Sequence, residues 1–456
     1  MSDAPLAPTP VRRVLPPGPP NPHDNARRMF DDPADFYREC RDRYGDPFSV
    51  ATPIGRIAFT ARPDAVAALF AAPSETFGVF ARQTQSPFLG DHSIFLLSGA
   101  AHGAERRLMG RLFAAHATRV RGGEMLAIAH SHLGRIAPGS EVEFLAVAHA
   151  ISLEIIVRIV FGVSQAGRIA EVSAATEAFL HAIDPSVMYD PAQRRAGNPV
   201  WARFVRCRGE LDALIAEEVA NRRANPQAGS DMLSALLEAA SAEGIAMTDT
   251  AIRDELVTLL LAGHETTAIS TAWAVHWLGR HPEVLSRLRT DLATLGPGPA
   301  PEAIARLEWL DAICNETMRL FPIGTEVPRL LVRPLALAGY VLPPGSVAAA
   351  ATALLHQDPS LYPEPQRFCP ERFRRRRFAL HEFIPFGGGY RRCLGAAFGT
   401  LEMKLVLAAF AGGYEFALAN PGPVRAVRRN LTRTLGPEDG VRLRVLGRLS
   451  ADGPAP

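Results

Sequence analysis

Lysine is almost absent from this sequence of 456 residues. Of the 49 basic residues only Lys404 is a lysine, and the others are arginines. Such a bias is typical of high-GC coding, so it indicates a bacterial source rather than a function. The basic residues are nearly balanced by 47 acidic ones, and the formal net charge of +2 gives no reason to expect a nucleic-acid partner.

Cysteines and long apolar runs are also scarce. The 5 cysteines include no CxxC pair, which argues against a disulfide framework and fits a reducing cytoplasm. They are scattered along the chain, at Cys40, Cys207, Cys314, Cys369 and Cys393. Apolar stretches such as Val347–Leu355 fall far short of the roughly 20 residues of a membrane span. The proline-rich N-terminus lacks the apolar core of a signal peptide. We therefore expect a cytoplasmic protein without a membrane span.

The distribution of apolar residues predicts the fold class. From Asp64 to about Leu320 they recur at three- and four-residue spacing, which predicts helices, whereas short strand candidates follow Pro322. This pattern indicates a mainly α fold with small β-sheets. Residues 1–25 are expected to form a flexible, proline-rich arm, 26–448 one domain, and 449–456 a flexible tail.

Individual elements can also be predicted. A helix is expected at Pro33–Tyr44, a hairpin at Phe48–Ala51 and Arg56–Phe59, and a mobile surface loop at Asp184–Pro199. Further helices are predicted at Ala104–Ala114, Phe144–Val160, Trp201–Arg222, Ile252–Leu278 and Gly395–Phe410. Further strands are predicted at Arg329–Val332, Leu337–Val341, Tyr414–Leu418 and Val441–Val445.

The most informative segment is the glycine-rich loop Phe386–Gly395, called the cysteine loop below. A metal-binding thiolate gains from backbone donors in a tight turn, from an approach free of side chains, and from a helix N-terminus. The loop offers all three around Cys393. The alternative is a buried, inert cysteine in a glycine turn.

This loop resembles the cysteine-ligand signature of the cytochrome P450 family. Its five signature positions are filled by Phe386, Gly389, Arg391, Cys393 and Gly395. The resemblance covers roughly residues 16–445 and implies a single-domain cytochrome P450 fold, with haem b between a long central helix and the cysteine loop. It implies that Cys393 is the axial iron ligand, that Phe386 shields the sulfur and that Arg391 pairs with a haem propionate. Gly387 belongs to the same cofactor-binding loop.

A second motif is Glu316-Thr317-Met318-Arg319. Residues three apart share a helix face, so Glu316 and Arg319 can pair, although such pairs are common on solvated helices. The motif matches the family's Glu-x-x-Arg, and the resemblance implies that Arg372 completes a buried network. We interpret these three as folding and haem-retention residues.

A third motif interrupts the apolar helix at Ala262-Gly263-His264-Glu265-Thr266. Polar side chains in a central helix are destabilising unless they form hydrogen bonds, which points to a function here. The alternative interpretation is that the polar face of an amphipathic helix simply changes position at this motif. The stretch resembles the family segment on the open side of the iron. Ala262 and Gly263 then leave room for oxygen and substrate, while Glu265 and Thr266 deliver protons. His264 is predicted to be a spacer facing away from the haem.

The resemblance also implies further cofactor and substrate contacts. His102, Arg106 and Arg329 match propionate contacts of the family; each alone is more often surface charge, but together they indicate a function. The segments expected to line the pocket are apolar and include the stretch around Thr432–Leu435. The substrate-binding candidates are Phe88, Phe95, Leu96, Ala262, Gly263, Ile323 and Val327, of which the phenylalanines could equally be ordinary core residues.

The function implied is a monooxygenase that hydroxylates or epoxidises a lipophilic small molecule such as a fatty acid, a terpene or another secondary metabolite. Electrons are expected from a separate ferredoxin with its reductase, or from a flavodoxin-type donor. The basic run Arg374, Arg375, Arg376 and Arg377 is a candidate docking site for that donor, or merely a solvated turn. Two other interpretations stay open: a haem-thiolate sensor or carrier, and an isomerase or dehydratase that works without oxygen.

Overall fold

The computed structural model describes residues 15–225, 231–429 and 434–449, and over these ranges it is mainly helical with small β-sheets. Its contacts divide the chain into two compact units. The first comprises the described residues up to Phe80, Gly324–Gln366 and Phe378–Arg392, and the second comprises the other described residues. The boundary at the cysteine loop falls between Arg392 and Cys393. The mainly α fold class is thereby confirmed, while the single domain over residues 26–448 stays a prediction.

The first unit is built around a five-stranded mixed sheet. Its strands, in spatial order, are Phe48–Thr52, Gly55–Thr60, Val347–Ala350, Val327–Leu331 and Phe77–Gly78. The first two form the predicted hairpin, in which Phe48 lies opposite Phe59. Their rings stack 5.5 Å apart, and Tyr37 packs 4.8 Å from Phe59, so aromatic residues fill the core of this unit. A second, two-stranded sheet pairs Leu335–Leu337 with Tyr340–Leu342.

Short helices cover this sheet. They are Pro22–Asp31, Pro33–Tyr44, Pro63–Ala71 and Thr352–Leu355, with 3₁₀ turns at Ser74–Thr76 and Gly389–Arg391. The helix Pro33–Tyr44 has the bounds that the sequence predicts. Asp32 caps its N-terminus by accepting the Asp35 N–H, proline occupies its first turn, and Gly45 with φ of 86° ends it.

The second unit is almost entirely helical. Its helices are Arg82–Leu89, Gly99–Leu112, Ala115–Val120, Gly122–Leu133, Phe144–Ile155, Ala166–Ala182, Pro185–Tyr189, Pro199–Ala224, Met232–Ala242, Asp249–Arg280, Pro282–Ala293, Pro301–Ala305, Glu308–Leu320, Glu371–Arg375 and Ala396–Gly413. Short 3₁₀ turns lie at Ile94–Leu96 and Pro191–Gln193, and a π-helical turn lies at Ile156–Val160. Its strands are Glu141–Glu143, Tyr414–Leu418, Ala426–Arg429, Thr434–Pro437 and Arg442–Arg448.

The 32-residue helix Asp249–Arg280, called the central helix below, is the backbone of the second unit. Its residues 267–276 are all buried, and Trp273 there stacks on Phe321 with 3.7 Å between ring centroids. The Trp273 indole N–H donates to the Leu435 carbonyl at 3.0 Å, which satisfies the polar end of an otherwise apolar side chain. This packing fixes the helix that carries the polar motif Ala262–Thr266.

The predicted strand Leu337–Val341 is wrong. The chain forms a tight hairpin there, because Ala338 and Gly339 adopt φ of 48° and 85° and reverse its direction. The alternating pattern of Leu337 and Val341 therefore spans a turn rather than one strand.

The predicted mobile loop Asp184–Pro199 is also wrong in its secondary structure. It contains the helix Pro185–Tyr189 and the 3₁₀ turn Pro191–Gln193. Asp184 accepts the Ser186 N–H and Asp190 accepts the Ala192 N–H, so each aspartate caps one of the two turns. The aspartates and prolines of this segment, which are typical of loops in a sequence, here start short helices.

Of the predicted flexible arm, residues 1–25, the structure describes residues 15–25. Its first 14 residues lie outside the described ranges, as does most of the predicted tail, but residues 22–25 belong to the helix Pro22–Asp31. The Ser49 N–H and hydroxyl donate to the carbonyls of Pro17 and Pro16 at 2.8 and 2.6 Å. Residues 16 and 17 are therefore bound to the sheet.

One described helix, Ala396–Gly413, is long and apolar enough by length and composition to cross a membrane. The sequence predicts this helix at Gly395–Phe410, but its membrane-spanning length and composition were not recognised there. Of its residues 72% are buried inside the protein, where it forms part of the core of the second unit.

Candidate functional site

Cys393 lies at the start of the helix Ala396–Gly413. Its thiol is exposed in the structure, and Gly395 forms the N-cap of the helix. The helix begins at Ala396 rather than at the predicted Gly395. The thiol thus precedes a helix of 18 residues, whose N-terminal dipole favours a negative sulfur.

In the first unit, the glycines of the cysteine loop pack against Phe70. A Cβ on Gly388 would lie 2.1 Å from the Phe70 ring, and one on Gly389 would lie 2.5 Å from the Phe70 carbonyl oxygen. Gly389 also has φ of 66°, which favours glycine. Close packing on Phe70 therefore requires glycine at these two positions and determines the path of the loop. The sequence alone does not reveal this packing. Phe386, Gly387 and Arg391, in the same loop, are half-buried.

Arg329 connects the sheet of the first unit to this loop. It lies on the strand Val327–Leu331 and is 8% exposed. Its guanidinium donates to the Gly388 carbonyl at 3.0 Å and to the Pro328 carbonyl at 2.9 Å. The rings of Phe70 and Tyr390 lie 5.9 and 5.8 Å away. The side chain is thus fixed by neutral groups.

The charge of Arg329 is not balanced by a carboxylate. Among the described residues, none forms an ion pair with it. Burial lowers the pKa of Arg329 to about 10, with Arg391 acting in the same direction and Tyr390 in the opposite one. Two neighbouring cations, one of them buried, constitute a site that an anion would stabilise.

In the second unit, the central helix carries the four predicted oxygen-side residues. Ala262, Gly263, Glu265 and Thr266 are all half-buried. The Thr266 hydroxyl donates to the Ala262 carbonyl at 2.7 Å, which leaves its lone pairs available to accept a proton. A Cβ on Gly263 would lie 3.1 Å from Ile156 Cδ1, so close packing on the π-helical turn Ile156–Val160 favours glycine here.

His264, between these residues, faces another histidine. It is 7% exposed, and its ring lies 5.1 Å from the ring of His149 on the helix Phe144–Ile155. Burial, with a smaller effect of His149, lowers the pKa of His264 to about 3. The imidazole is therefore neutral at physiological pH.

His102 and Arg106 lie one turn apart on the helix Gly99–Leu112. His102 is 3% exposed and Arg106 is half-buried. Their spacing places them on one face of that helix, so both can be directed to one anionic group.

The predicted substrate residues fall into two groups. Phe88 and Leu96 are fully buried, and the Phe88 ring packs 4.7 Å from Phe204, as ordinary core residues do. Phe95 is 46% exposed, whereas Ile323 and Val327 are half-buried. Residues 430–433, which include Thr432 of the predicted pocket lining, lie outside the described ranges. The substrate contacts stay predictions.

The structure brings Glu316, Arg319 and Arg372 together in the second unit. Arg319 donates to both carboxylate oxygens of Glu316 at 2.7 and 2.8 Å, and Arg372 donates to one of them at 2.9 Å. Glu316 and Arg319 are fully buried. The Cys369 N–H adds a fourth hydrogen bond at 2.8 Å, and the Arg367 carbonyl accepts from both arginines. This is a fully satisfied ionic network.

Sequence reasoning missed three contributors to these sites. Phe70 and Tyr390 frame Arg329, and the Cys369 backbone completes the hydrogen bonds of Glu316. Tyr390 lies within the cysteine loop and could have been found there. Phe70 and Cys369 contribute a ring and a backbone amide from distant segments, for which the sequence carries no local signal.

Comparison with known proteins identifies close relatives of this sequence. The family model described as cytochrome P450 matches residues 21–435. The protein named cytochrome P450 135B1 of Mycobacterium tuberculosis is 33% identical over 415 residues, which cover 90% of this chain and 86% of that protein. Cytochrome P450 135A1 of the same organism is 30% identical over 420 residues, which cover 90% of each.

Two solved structures are similar in fold. The structure entitled retinoic acid bound cyanobacterial CYP120A1 has a TM-score of 0.84 at 23% identity and covers 96% of this chain and 100% of that one. The haem domain of cytochrome P450DA has a TM-score of 0.82 at 22% identity and covers 98% and 100%.

Proposed function

This chain belongs to the cytochrome P450 family, and from that premise we propose that it inserts one oxygen atom of dioxygen into a lipophilic small molecule, by hydroxylation or epoxidation. Members of the family are haem-thiolate proteins with haem b. The general activity is therefore that of a haem-thiolate monooxygenase. We propose in addition the substrate class, the reaction and the electron donor. We also propose that the protein is cytoplasmic.

The residues present fit the haem. Arg329 and Arg391 are neighbouring cations, and Arg329 is buried without a carboxylate partner among the described residues, so the propionates would supply the missing negative charge. Cys393 would hold the iron through its thiolate, and Phe386 would shield the sulfur. His102 and Arg106 would bind a propionate as well. When bound, a thiolate-ligated haem would supply the chemistry of oxygen activation.

The observation that carries the proposal is the acid and alcohol pair Glu265 and Thr266 on the central helix. Both side chains are half-buried, so they combine access with partial exclusion of water. The Thr266 hydroxyl is oriented by the Ala262 carbonyl and holds one proton while accepting another. Glu265, the neighbouring acid, would replenish that proton. A sensor or an isomerase has no need of such a pair.

We propose that electrons arrive from a ferredoxin with its reductase, or from a flavodoxin-type donor. Arg374, Arg375, Arg376 and Arg377 are all exposed at and beyond the end of the helix Glu371–Arg375. A cluster of exposed positive charges attracts an acidic partner. Apolar residues such as Phe95, Ile323 and Val327 would contact a lipophilic substrate.

The test compares Thr266→Ala with Thr271→Ala. The two threonines make the same hydroxyl bond to the carbonyl four residues earlier, at 2.7 and 2.8 Å, but Thr271 is buried. In the reconstituted enzyme we expect Thr266→Ala to keep its haem, form less product per NAD(P)H and release more peroxide. Thr271→Ala should retain the coupling of the unmodified protein. Cys393→Ser should abolish the red-shifted carbon-monoxide band of the reduced protein, which marks thiolate ligation.

Two results would contradict the proposal. Product formation without dioxygen and without NAD(P)H consumption would favour the isomerase or dehydratase, and haem binding without any turnover would favour the sensor or carrier. Unchanged coupling in Thr266→Ala would show that another group delivers the proton.

A further inference from the structure

Two arginines from separate segments of the second unit line one cavity that the proposed mechanism does not use. The cavity has a volume of about 370 Å³ and lies between the helix Arg82–Leu89 and the segment 191–194. Its lining is formed by Arg82, Gln83, Ser86, Pro87, Pro191 and Arg194. This lining contains two guanidinium groups and no carboxylate.

Arg194 is held in place entirely by neutral acceptors. It donates to the carbonyls of Val187 and Met188 at 2.8 and 2.6 Å, and to the Gln83 carbonyl at 2.8 Å. No carboxylate among the described residues forms an ion pair with it. Burial lowers the pKa of Arg194, and Asp190, which acts in the opposite direction, is occupied by the Ala192 N–H at 3.0 Å. The orientation of the guanidinium is thus fixed, but no partner accepts its charge.

Arg82 has only a weak counter-ion. It donates to the Leu96 carbonyl at 2.7 Å and pairs with Asp91 at 3.1 Å. The side chain of Asp91 is 67% exposed and also accepts the Ser86 hydroxyl at 2.8 Å. An ion pair this exposed is screened by water and salt. Arg82 can therefore bind a second anion at a small cost in free energy, because its ion pair with Asp91 is weak.

The cavity borders an apolar region. Pro87 and Pro191 belong to its lining, and the Arg194 guanidinium lies 5.7 Å above the ring of Phe88. Phe88 is 2% exposed and packs against Phe204 in the core of the unit. Phe88 is therefore covered, and the apolar part of the lining is formed by Pro87 and Pro191. Positive charge beside this apolar surface suits a ligand that has an anionic end and an apolar body.

We infer that this cavity binds the carboxylate of a lipophilic substrate through Arg82 and Arg194. Arg82 has N–H groups beyond those that bond Leu96 and Asp91 and can donate them to a carboxylate, whereas backbone carbonyls hold the positive charge of Arg194 beside the same cavity. Two positive charges at one cavity select an acid over the corresponding alcohol. The inference rests on the proposed function, because it takes the substrate to be lipophilic. It narrows that substrate to acids.

Binding can be measured without turnover. The full-length, haem-loaded protein is titrated calorimetrically with octanoate, decanoate and dodecanoate, and with the three alcohols of the same length. We expect at least one acid to bind roughly tenfold more tightly than its alcohol, because a hydrogen bond between charged partners adds to the contacts of the chain. Arg82→Gln and Arg194→Gln should each remove that preference, and alcohol binding should change less than twofold.

Arg195→Gln is the matched control, because Arg195 is the exposed neighbour of Arg194 and does not line the cavity. This variant should keep the preference for the acid. Two results would overturn the inference: no acid that binds better than its alcohol, or an acid preference that survives in both cavity variants. Acid binding through the two arginines, with no oxidation of any tested acid or alcohol by the reconstituted enzyme with dioxygen, would leave the carboxylate site intact and contradict the proposed function.

Discussion

Glu316 and Arg329 are both buried charged residues, but the protein treats their charges in opposite ways. Glu316 accepts from Arg319, Arg372 and the Cys369 amide, so its charge is fully compensated within the chain. Arg329 is held by two carbonyls and two aromatic rings, and its charged neighbour is another cation. The first arrangement is complete as it stands, whereas the second is suited to an anion. Whether a buried charge is compensated within the chain therefore distinguishes the residues that stabilise the fold from those that bind a ligand.

The strongest test of this difference is Glu316→Gln. Removing the carboxylate leaves two guanidinium groups without their shared partner, and breaking a buried ionic network costs about 3–5 kcal/mol. We expect the free energy of unfolding in urea to fall by that amount and the purified protein to hold little haem. A variant with full haem content and an unchanged melting temperature would show that the network is dispensable.

Arg329→Gln should affect haem retention rather than folding. Without haem, the variant should be at least as stable as the unmodified protein, because a buried cation without a carboxylate partner is removed. With haem, the loss of a hydrogen bond to a charged group, about 1.5–3 kcal/mol, should speed haem transfer to a scavenger protein by roughly 10- to 100-fold.

Arg333→Gln is the control for this prediction, since Arg333 is an exposed arginine just beyond the same strand. It should leave the rate of haem transfer unchanged. If Arg329→Gln instead destabilised the haem-free protein by several kcal/mol, Arg329 would belong with Glu316 among the residues that hold the fold.

Glu255 on the central helix is a third buried ionisable residue and extends the comparison. It is fully buried, and no described cation pairs with it. Burial, with Glu105 and Asp254 contributing, raises the pKa of Glu255 to about 9, and the Ile94 N–H opposes this shift. A raised pKa means that this group stabilises the fold fully below its unfolded pKa of about 4.5, and that its contribution is lost as pH rises toward 9.

Glu255→Gln should therefore be more stable than the unmodified protein at pH 8 by at least about 1 kcal/mol, the equivalent of one pKa unit. At pH 5, where Glu255 is protonated, the two proteins should differ little. Urea unfolding at both pH values measures this. The same substitution at Glu316 is the matched comparison and should destabilise at pH 8. If Glu255→Gln also destabilised at pH 8, Glu255 would be ionised and paired.

The sequence predicted the paired residues better than their surroundings. Glu316 and Arg319 share one helix, so their contact follows from local spacing. The elements Pro33–Tyr44 and Tyr414–Leu418 were predicted with correct bounds, because caps and alternation are local signals. The hairpin around Ala338 was missed, since a positive φ at alanine leaves no mark in the sequence. The packing of Gly388 on Phe70 was missed because those residues meet only in the folded chain.

The smallest effect is expected where charge is exposed. Arg375 and Arg377 are solvent-accessible, whereas Arg374 pairs with Glu308 at 2.7 Å. Exposed charges act on an acidic partner mainly through the association rate, and screening sets in beyond ~8 Å at physiological salt. Replacing both Arg375 and Arg377 with glutamine should slow reduction by a ferredoxin by roughly three- to tenfold at low salt and flatten its salt dependence. Stopped-flow reduction across a salt series measures this, with the haem spectrum and substrate binding as controls that should stay unchanged. A double variant that matches the unmodified protein at every ionic strength would show that these arginines only solvate the turn, and the docking site would then have to be sought elsewhere.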